Sequence, residues 1–192
     1  MSPWARVYGW QLPLERAALA AAARLAAPQP RERVLDVATG TGAMLRELAR
    51  PEALPAEVVG IDRSPSMLAA AAAQPLPTAW RLVAADARRL PFGERSFDVV
   101  TVCYLLHLLD PEACGRAIAE IARVLRPGGR LVTVTVESRR PATRAALMRL
   151  PRWTGLRPLD PGAMLRAAQL EPRVARFVPH GWPSLCLLAR RR

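Results

Sequence analysis

From residue 33 onward, short apolar runs rich in β-branched residues alternate with Ala- and Leu-rich stretches at helical spacing. Arg33–Val37, Glu57–Ile61, Ala79–Ala84, Phe97–Cys103 and Arg130–Val136 read as strands. Their near-continuous hydrophobicity is what a parallel strand covered on both faces requires. Between them, Ala43–Arg50, Ser66–Gln74 and Pro111–Leu125 read as helices, and in the last Ala117, Ile118, Ile121, Val124 and Leu125 fall on one face. Ser64-Pro65 is an N-cap followed by proline at the first helical position. Pro127-Gly128-Gly129 reads as a turn before the fifth strand.

The ends of the chain depart from this alternation. Residues 1–12 carry Trp4, Tyr8 and Trp10 without a clear period, and are expected to fold over something as a cap. Pro13–Ala27 reads as a helix stopped by Pro28 and Pro30. Arg140–Leu150 and Pro161–Leu170 look helical, with a proline-rich surface loop between Pro151 and Pro161. Arg173–Val178 and Ser184–Ala189 then look like strands joined by five residues, Pro179 to Pro183. So short a connection can join antiparallel strands but cannot make a parallel crossover. The expected fold is therefore α/β: a doubly wound, mostly parallel seven-stranded sheet with right-handed crossovers, ending in an antiparallel hairpin. One domain over 1–192 is expected, with a cap segment and helix at 1–30, a ligand-binding core at 33–136, and C-terminal helices and hairpin at 137–192.

Composition narrows the classes. At 192 residues and 51% hydrophobic, the chain can build one full core. Its longest apolar run, Val99 to Leu109, is interrupted by His107 and is too short for a membrane span. Glu15 and Arg16 precede the run Ala17–Ala23 and Arg24 ends it, which does not fit a signal peptide, so a soluble, cytoplasmic protein is expected. Cys103, Cys114 and Cys186 are far apart, with no Cys/His cluster, so reduced thiols and no metal are expected. The formal charge of +12 raises nucleic-acid binding. Yet all 28 basic residues are arginine and they are dispersed, apart from Arg190–Arg192 at the terminus, a pattern that fits a coding bias better than selected phosphate contacts.

The candidate chemistry lies where the strands end. Val34 to Gly42 is a strand carrying an acid, Asp36, that breaks into two glycines and leads into a helix. Such a turn lets a ligand lie on the backbone at a helix start. In an open parallel sheet, ligands bind beyond the carboxyl ends of the strands near the point where strand order reverses. Asp36, Asp62, Asp86, and Tyr104 with His107 all stand at such ends. Asp62 suits the two hydroxyls of a ribose, or alternatively caps the helix that begins after Ser64. A nicotinamide dinucleotide needs a third small residue where this chain has Leu45, so an oxidoreductase is a minor alternative.

Asp36-x-Ala38-x-Gly40-x-Gly42, Gly60-Ile61-Asp62-x-Ser64-x-x-Met67-Leu68, Ala85-Asp86-Ala87 with Leu90-Pro91-Phe92, Phe97-Asp98-x-Val100, and Leu125-x-Pro127-Gly128-Gly129-x-Leu131 resemble, in order, the motifs of class I S-adenosylmethionine-dependent methyltransferases of small-molecule type. The first motif is especially similar to the quinone-biosynthesis branch, although this chain has Ala43 where that branch carries an acid. The resemblance implies a Rossmann-like methyltransferase fold with S-adenosyl-L-methionine as cofactor. It implies that Gly40 and Gly42, with Ala38, contact the methionine part, that Asp36 orders its amino group, and that Asp62, beside Arg63, holds the ribose. Met67 would lie against the adenine, Asp86 and the Ala87 backbone would bond the adenine edge, and Cys103 would offer its carbonyl to the methionine ammonium.

A small apolar, lipid- or quinone-like acceptor is expected, in a pocket formed by Tyr8, Trp10, Tyr104, His107 and Trp182 and the leucines around them. His107 is the first candidate for a general base and equally a candidate pocket wall, ahead of Glu137, Tyr104 and His180. Cys103 lacks the neighbouring proline of base-methylating enzymes, and no Asn-Pro-Pro-Tyr-like motif follows the fourth strand, so a nucleic-acid substrate is disfavoured. An RNA-associated methyltransferase or basic RNA-binding protein on the same fold stays as the alternative of a different class. Neither the acceptor atom nor the oligomeric state is legible.

Overall fold

A computed structural model describes residues 3–50, 54–136, 161–181 and 183–192, with the backbone alone for 3–12. The strands β1 Arg33–Val37, β2 Glu57–Asp62, β3 Arg81–Ala84, β4 Phe97–Cys103, β5 Leu125–Val136, β6 Leu170–Val178 and β7 Ser184–Arg191 form one sheet in the order β3-β2-β1-β4-β5-β7-β6. The first five are parallel, and β7 pairs antiparallel with both β5 and β6. The helices are α1 Pro3–Ala26, α2 Ala43–Leu48, α3 Pro65–Ala72, α4 Pro111–Val124 and α5 Pro161–Ala167, and a single 3-10 turn covers Leu106–Leu108.

Successive strand residues point to opposite faces, and the core divides accordingly. Leu35, Val37, Val59, Ile61, Val100 and Val102 pack on one face with Cys114, Ile118 and Ile121 of α4 and Leu165 of α5. Val34, Val58, Val99, Val132 and Val134 pack on the other with Ala18, Leu19 and Ala22 of α1 and Met44, Leu45 and Leu48 of α2. Each large aliphatic side chain taken fully out of water contributes about 1.5–3 kcal/mol, so this double coverage is what holds the parallel sheet together. α4 begins where Asp110 caps it, its carboxylate accepting from Ala113 N–H at 2.7 Å, with Pro111 in the first turn.

Three local expectations are corrected. The N-terminal helix does not start at Pro13 but runs from Pro3 straight through it. Proline inside a helix removes one N–H donor and strains the preceding turn, and here the helix continues in spite of that cost. Pro127-Gly128-Gly129 is not a turn before β5 but an irregularity inside it: Phe97 pairs with Leu125, and the next β4 partner, Val99, pairs with Arg130. A Cβ at Gly129 would stand 2.8 Å from the Arg126 carbonyl and 3.0 Å from that of Asp98, so only glycine fits the bulge. β3 is confined to Arg81–Ala84. The helix expected at Arg140–Leu150 lies outside the described residues. Among the described residues, no helix is long and apolar enough to cross a membrane.

Arginines hold down the edge away from the carboxyl ends. Arg33 and Arg81 both pair with Glu57, at 2.8 and 2.5 Å, and Arg126 pairs with Asp98 at 2.7 Å. Arg130 reaches the end of α1, donating to the Ala26 and Ala27 carbonyls while pairing with Glu32. At the other edge, Val136 of β5 pairs with Ser184 of β7, which sets the β6–β7 turn beside the carboxyl ends of the parallel strands. There Gly181 (φ +75°) comes so close to α1 that a Cβ would stand 2.0 Å from the Leu14 carbonyl oxygen.

Candidate active site

Strand order reverses at β1, whose neighbours are β2 and β4, and a cleft of about 590 Å³ opens beyond the carboxyl ends there. Its floor is the loop from β1 to α2. Ala38, Gly40 and Gly42 all take left-handed conformations, with φ of 58°, 56° and 80°. For Ala38 that costs about 1–2 kcal/mol, while glycine adopts it freely. A Cβ on Gly40 would meet only the Ala38 carbonyl, at 4.0 Å, so its open side faces the cleft. A Cβ on Gly42 would lie 3.3 Å from Ala71 of α3, so this second glycine lets two helices approach and caps α2. Leu45 is fully buried, and its Cδ1 lies 3.1 Å from where a Cβ on Gly60 would stand. The bulky residue that spoils a dinucleotide fingerprint is thus accommodated by a glycine on β2.

Two acids brace this floor. Asp36 is 1% exposed and accepts from Thr39 Oγ1 at 2.6 Å and Thr101 Oγ1 at 2.7 Å. Burial pushes its carboxyl up to about 6 against the pull of those two hydroxyls, and the Asp62 charge nearby pushes the same way. Asp62, at the end of β2, accepts from Gly40 N–H at 2.9 Å and Ser64 N–H at 2.8 Å. Each of its oxygens keeps a lone pair for a further donor. Ser64 caps α3, accepting from Met67 N–H, and Met67 lines the cleft at 9% exposure.

After β3, Asp86 is clasped by Arg88, whose Nε lies 2.9 Å from Oδ1 and whose second guanidinium nitrogen lies 2.5 Å from Oδ2. That guanidinium holds the Asp86 carboxyl down at about 2. At the end of β4, Tyr104 (φ 57°) donates its N–H to the Val134 carbonyl, and its hydroxyl shares a 2.8 Å hydrogen bond with Ser184 Oγ on β7. Burial pushes the Cys103 thiol and the Tyr104 phenol well up, so both are neutral near pH 7. Leu105, Leu108 and Leu109, with Met44 and Leu19 opposite, give the cleft an apolar wall.

Of the residues expected to hold a cofactor, Asp36, Ala38, Gly40, Asp62, Arg63, Met67, Asp86, Ala87 and Cys103 all line this one cleft, and Gly42 lies beneath it under the α2 cap. Tyr104 of the expected acceptor pocket lines it too. His107 does not: it is 3% exposed in the 3-10 turn, stacked edge-on against Tyr104 at 6.2 Å, outside the lining. Its Nδ1 has no hydrogen-bond partner among the described residues, and burial pushes its pKa down to about 4. An imidazole turned away from the cleft cannot take a proton there, which corrects the first choice of base. Tyr8 and Trp10 side chains, Trp182 and Glu137 lie outside the described residues, and His180 is exposed on the β6–β7 turn.

Sequence reading missed Glu15 and Leu19 of α1, Thr39 and Thr101, and Arg88. An Asp-x-x-Thr spacing and an Asp-x-Arg spacing were the available signals for Thr39 and Arg88. None existed for Glu15, which the fold brings in from far along the chain.

The profile of a family described as a methyltransferase domain matches residues 34–129, half of the chain and the whole of the cleft's floor. The chain belongs to this family. The methyltransferase domain is 36% identical over 170 residues to a demethylmenaquinone methyltransferase of Mycobacterium tuberculosis, covering 83% of this chain and 64% of that protein. It is 43% identical over 104 residues to the protein of that name from Corynebacterium kroppenstedtii, covering 54% and 42%. The chain thus spans roughly two-fifths to three-fifths of the length of these relatives. A solved structure of 1,6-didemethyltoxoflavin-N1-methyltransferase from Burkholderia thailandensis, holding its substrate and S-adenosylhomocysteine, superposes with a TM-score of 0.66 at 27% identity, over 94% of this chain and 78% of that one.

Proposed function

We propose that this methyltransferase domain moves a methyl group from S-adenosylmethionine to a small apolar acceptor of the quinol class. The observation that carries it is the make-up of one cleft. In a chain of formal charge +12, its lining among the described residues has the carboxyl groups of Glu15, Asp36, Asp62, Asp86 and Asp110 against the guanidiniums of Arg63 and Arg88. Such a lining suits a cationic sulfonium and repels a phosphodiester, which speaks against the RNA-associated alternative. The apolar wall of Leu105, Leu108 and Leu109 on the same cleft suits a fused aromatic ring.

When bound, the cofactor supplies an already electrophilic methyl carbon, so the protein's work is to hold two reactants in line. The Gly40 backbone leaves room for the methionine end, and the remaining lone pairs of Asp62 would accept from the ribose hydroxyls. Met67 would lie against the adenine, and Asp86 with the Ala87 N–H would bind its edge. Cys103 contributes its backbone carbonyl. The cleft's apolar wall holds the acceptor against the methyl. The names of the relatives support a quinone-type ring as acceptor, and such a ring carbon is nucleophilic only in the reduced, quinol form.

The test is incubation with methyl-labelled S-adenosylmethionine under anaerobic conditions, offering a demethylmenaquinol with one isoprene unit and, separately, bulk RNA. Label in the quinol alone is expected. Label in RNA with none in the quinol would overturn the reading.

A further inference from the structure

Transfer to a ring carbon of a quinol requires that a proton leave the acceptor, and the cleft holds a group placed for this that neither the motifs nor His107 accounts for. Glu15 projects from α1 into the lining, above Leu19 and opposite Cys103 and Tyr104 at the end of β4. It follows Leu14, the residue against which the Gly181 turn is pressed, so the β6–β7 turn holds this stretch of α1 in place. Among the described residues it makes no hydrogen bond and no ion pair. A carboxylate lodged part-way into an apolar wall without a partner is costly unless a ligand or a proton satisfies it. Among the described residues the buried face of α1 is Ala18, Leu19, Ala21, Ala22 and Ala26, a packing that calls for no acid.

We propose that Glu15 is the general base of the acceptor site, taking the hydroxyl proton of a bound quinol. The inference rests on the quinol reading above. As the O–H proton passes to the Glu15 carboxylate, the oxygen's electron pair moves into the ring. The adjacent ring carbon attacks the methyl carbon, a C–C bond forms, and the C–S bond breaks with its pair going to sulfur as a neutral thioether. The ring carbon then gives its own proton to water, and Glu15 returns its proton to the carbonyl oxygen, restoring the quinol. The balance is one methyl gained and one proton released, with no change of oxidation level in the ring.

Burial is the sole cause that raises the Glu15 carboxyl, to about 7, where a base is both available and strong enough at neutral pH. The titratable groups around it do not compete for that role. Cys103 and Tyr104 at the end of β4 and Cys186 on β7 are all pushed up by burial. Asp36, Asp62 and Arg63 belong to the cofactor floor, Arg16 on α1 faces outward, and His180 on the turn is exposed.

The experiment compares wild type with Glu15→Gln, Glu15→Asp and His180→Gln, using demethylmenaquinol with one isoprene unit and S-adenosylhomocysteine. In wild type, kcat/KM should fall about tenfold per pH unit below about 7. Glu15→Gln should lose the rate by a factor of about 10²–10⁴ and abolish that limb, with Glu15→Asp recovering part of both. His180→Gln should keep the limb. S-adenosylhomocysteine affinity should stay within about threefold throughout, which also shows that the variants fold. Carbon-detected NMR should find a glutamate carboxyl titrating near 7 in wild type and missing from Glu15→Gln. A Glu15→Gln enzyme with the wild-type rate and limb, a limb lost in His180→Gln instead, or a Glu15 carboxyl titrating in the ordinary range would overturn the proposal while leaving the quinol reading intact. Wild type that binds S-adenosylhomocysteine yet never methylates the quinol would overturn both.

Discussion

Asp62 Oδ2 accepts from the Gly40 backbone N–H at 2.9 Å, which ties the end of β2 to the turn after β1. The acid proposed to accept from a ribose is thereby also the brace of the glycine loop proposed to lie under the methionine end. Asp62→Ala removes both at once. It should weaken S-adenosylhomocysteine binding by about 1–3 kcal/mol, the usual cost of losing a charged hydrogen-bonding partner. Calorimetry checks this, and Asp62→Asn should lie between the variant and wild type.

Gly60 is the position that makes room for Leu45. A Cβ there would stand 3.0 Å from Leu82 Cδ2, 3.1 Å from Leu45 Cδ1 and 3.1 Å from Thr39 Oγ1. Gly60→Ala should therefore destabilise the fold by about 1–3 kcal/mol through overpacking. A lower urea midpoint with unchanged slope is the expected reading, and pairing it with Leu45→Ala should recover part of the loss.

Asp36 makes stability depend on pH in a stated direction. Its folded pKa of about 6 lies above the ordinary 3.8, so its contribution is fully present below 3.8 and is lost as pH rises through about 6. Relative to Asp36→Asn, wild type should lose up to about 3 kcal/mol between those limits. Urea unfolding of both proteins at a series of pH values measures the difference, and a constant gap would show that Asp36 stays ionised.

His107 sits behind Tyr104 with its Nδ1 unpartnered among the described residues. Replacing it with leucine removes a buried polar atom and should be neutral or stabilising by about 1–2 kcal/mol. The pH profile of methyl transfer should not change. A loss of the neutral-pH limb in His107→Leu would restore it as a base.

Asp36, Asp62 and Asp86 were legible because each ends a strand, and in a parallel sheet every strand end reaches the same crevice. The parallel pairing of the first five strands followed from the alternation of strand and helix, and the hairpin followed from a connection too short to cross over. What the sequence hid was set by contacts between distant segments. Periodicity says that Tyr104 to Leu109 is apolar, but it does not say that Leu105, Leu108 and Leu109 turn into the cleft while Leu106 and His107 turn into the core. A 3-10 turn of three residues decides that. Glu15 reads as an ordinary polar residue in a helix until α1 is laid over β4. The helix through Pro13 was hidden for a related reason, since local propensity argues for a break there and tertiary packing along α1 overrides it.

The most direct test of the whole account is a calorimetric titration of wild-type protein with S-adenosylmethionine, run beside a nicotinamide dinucleotide. Saturable binding of one S-adenosylmethionine per chain is expected, with no heat from the dinucleotide. Heat from the dinucleotide, with none from S-adenosylmethionine at millimolar concentration, would contradict it.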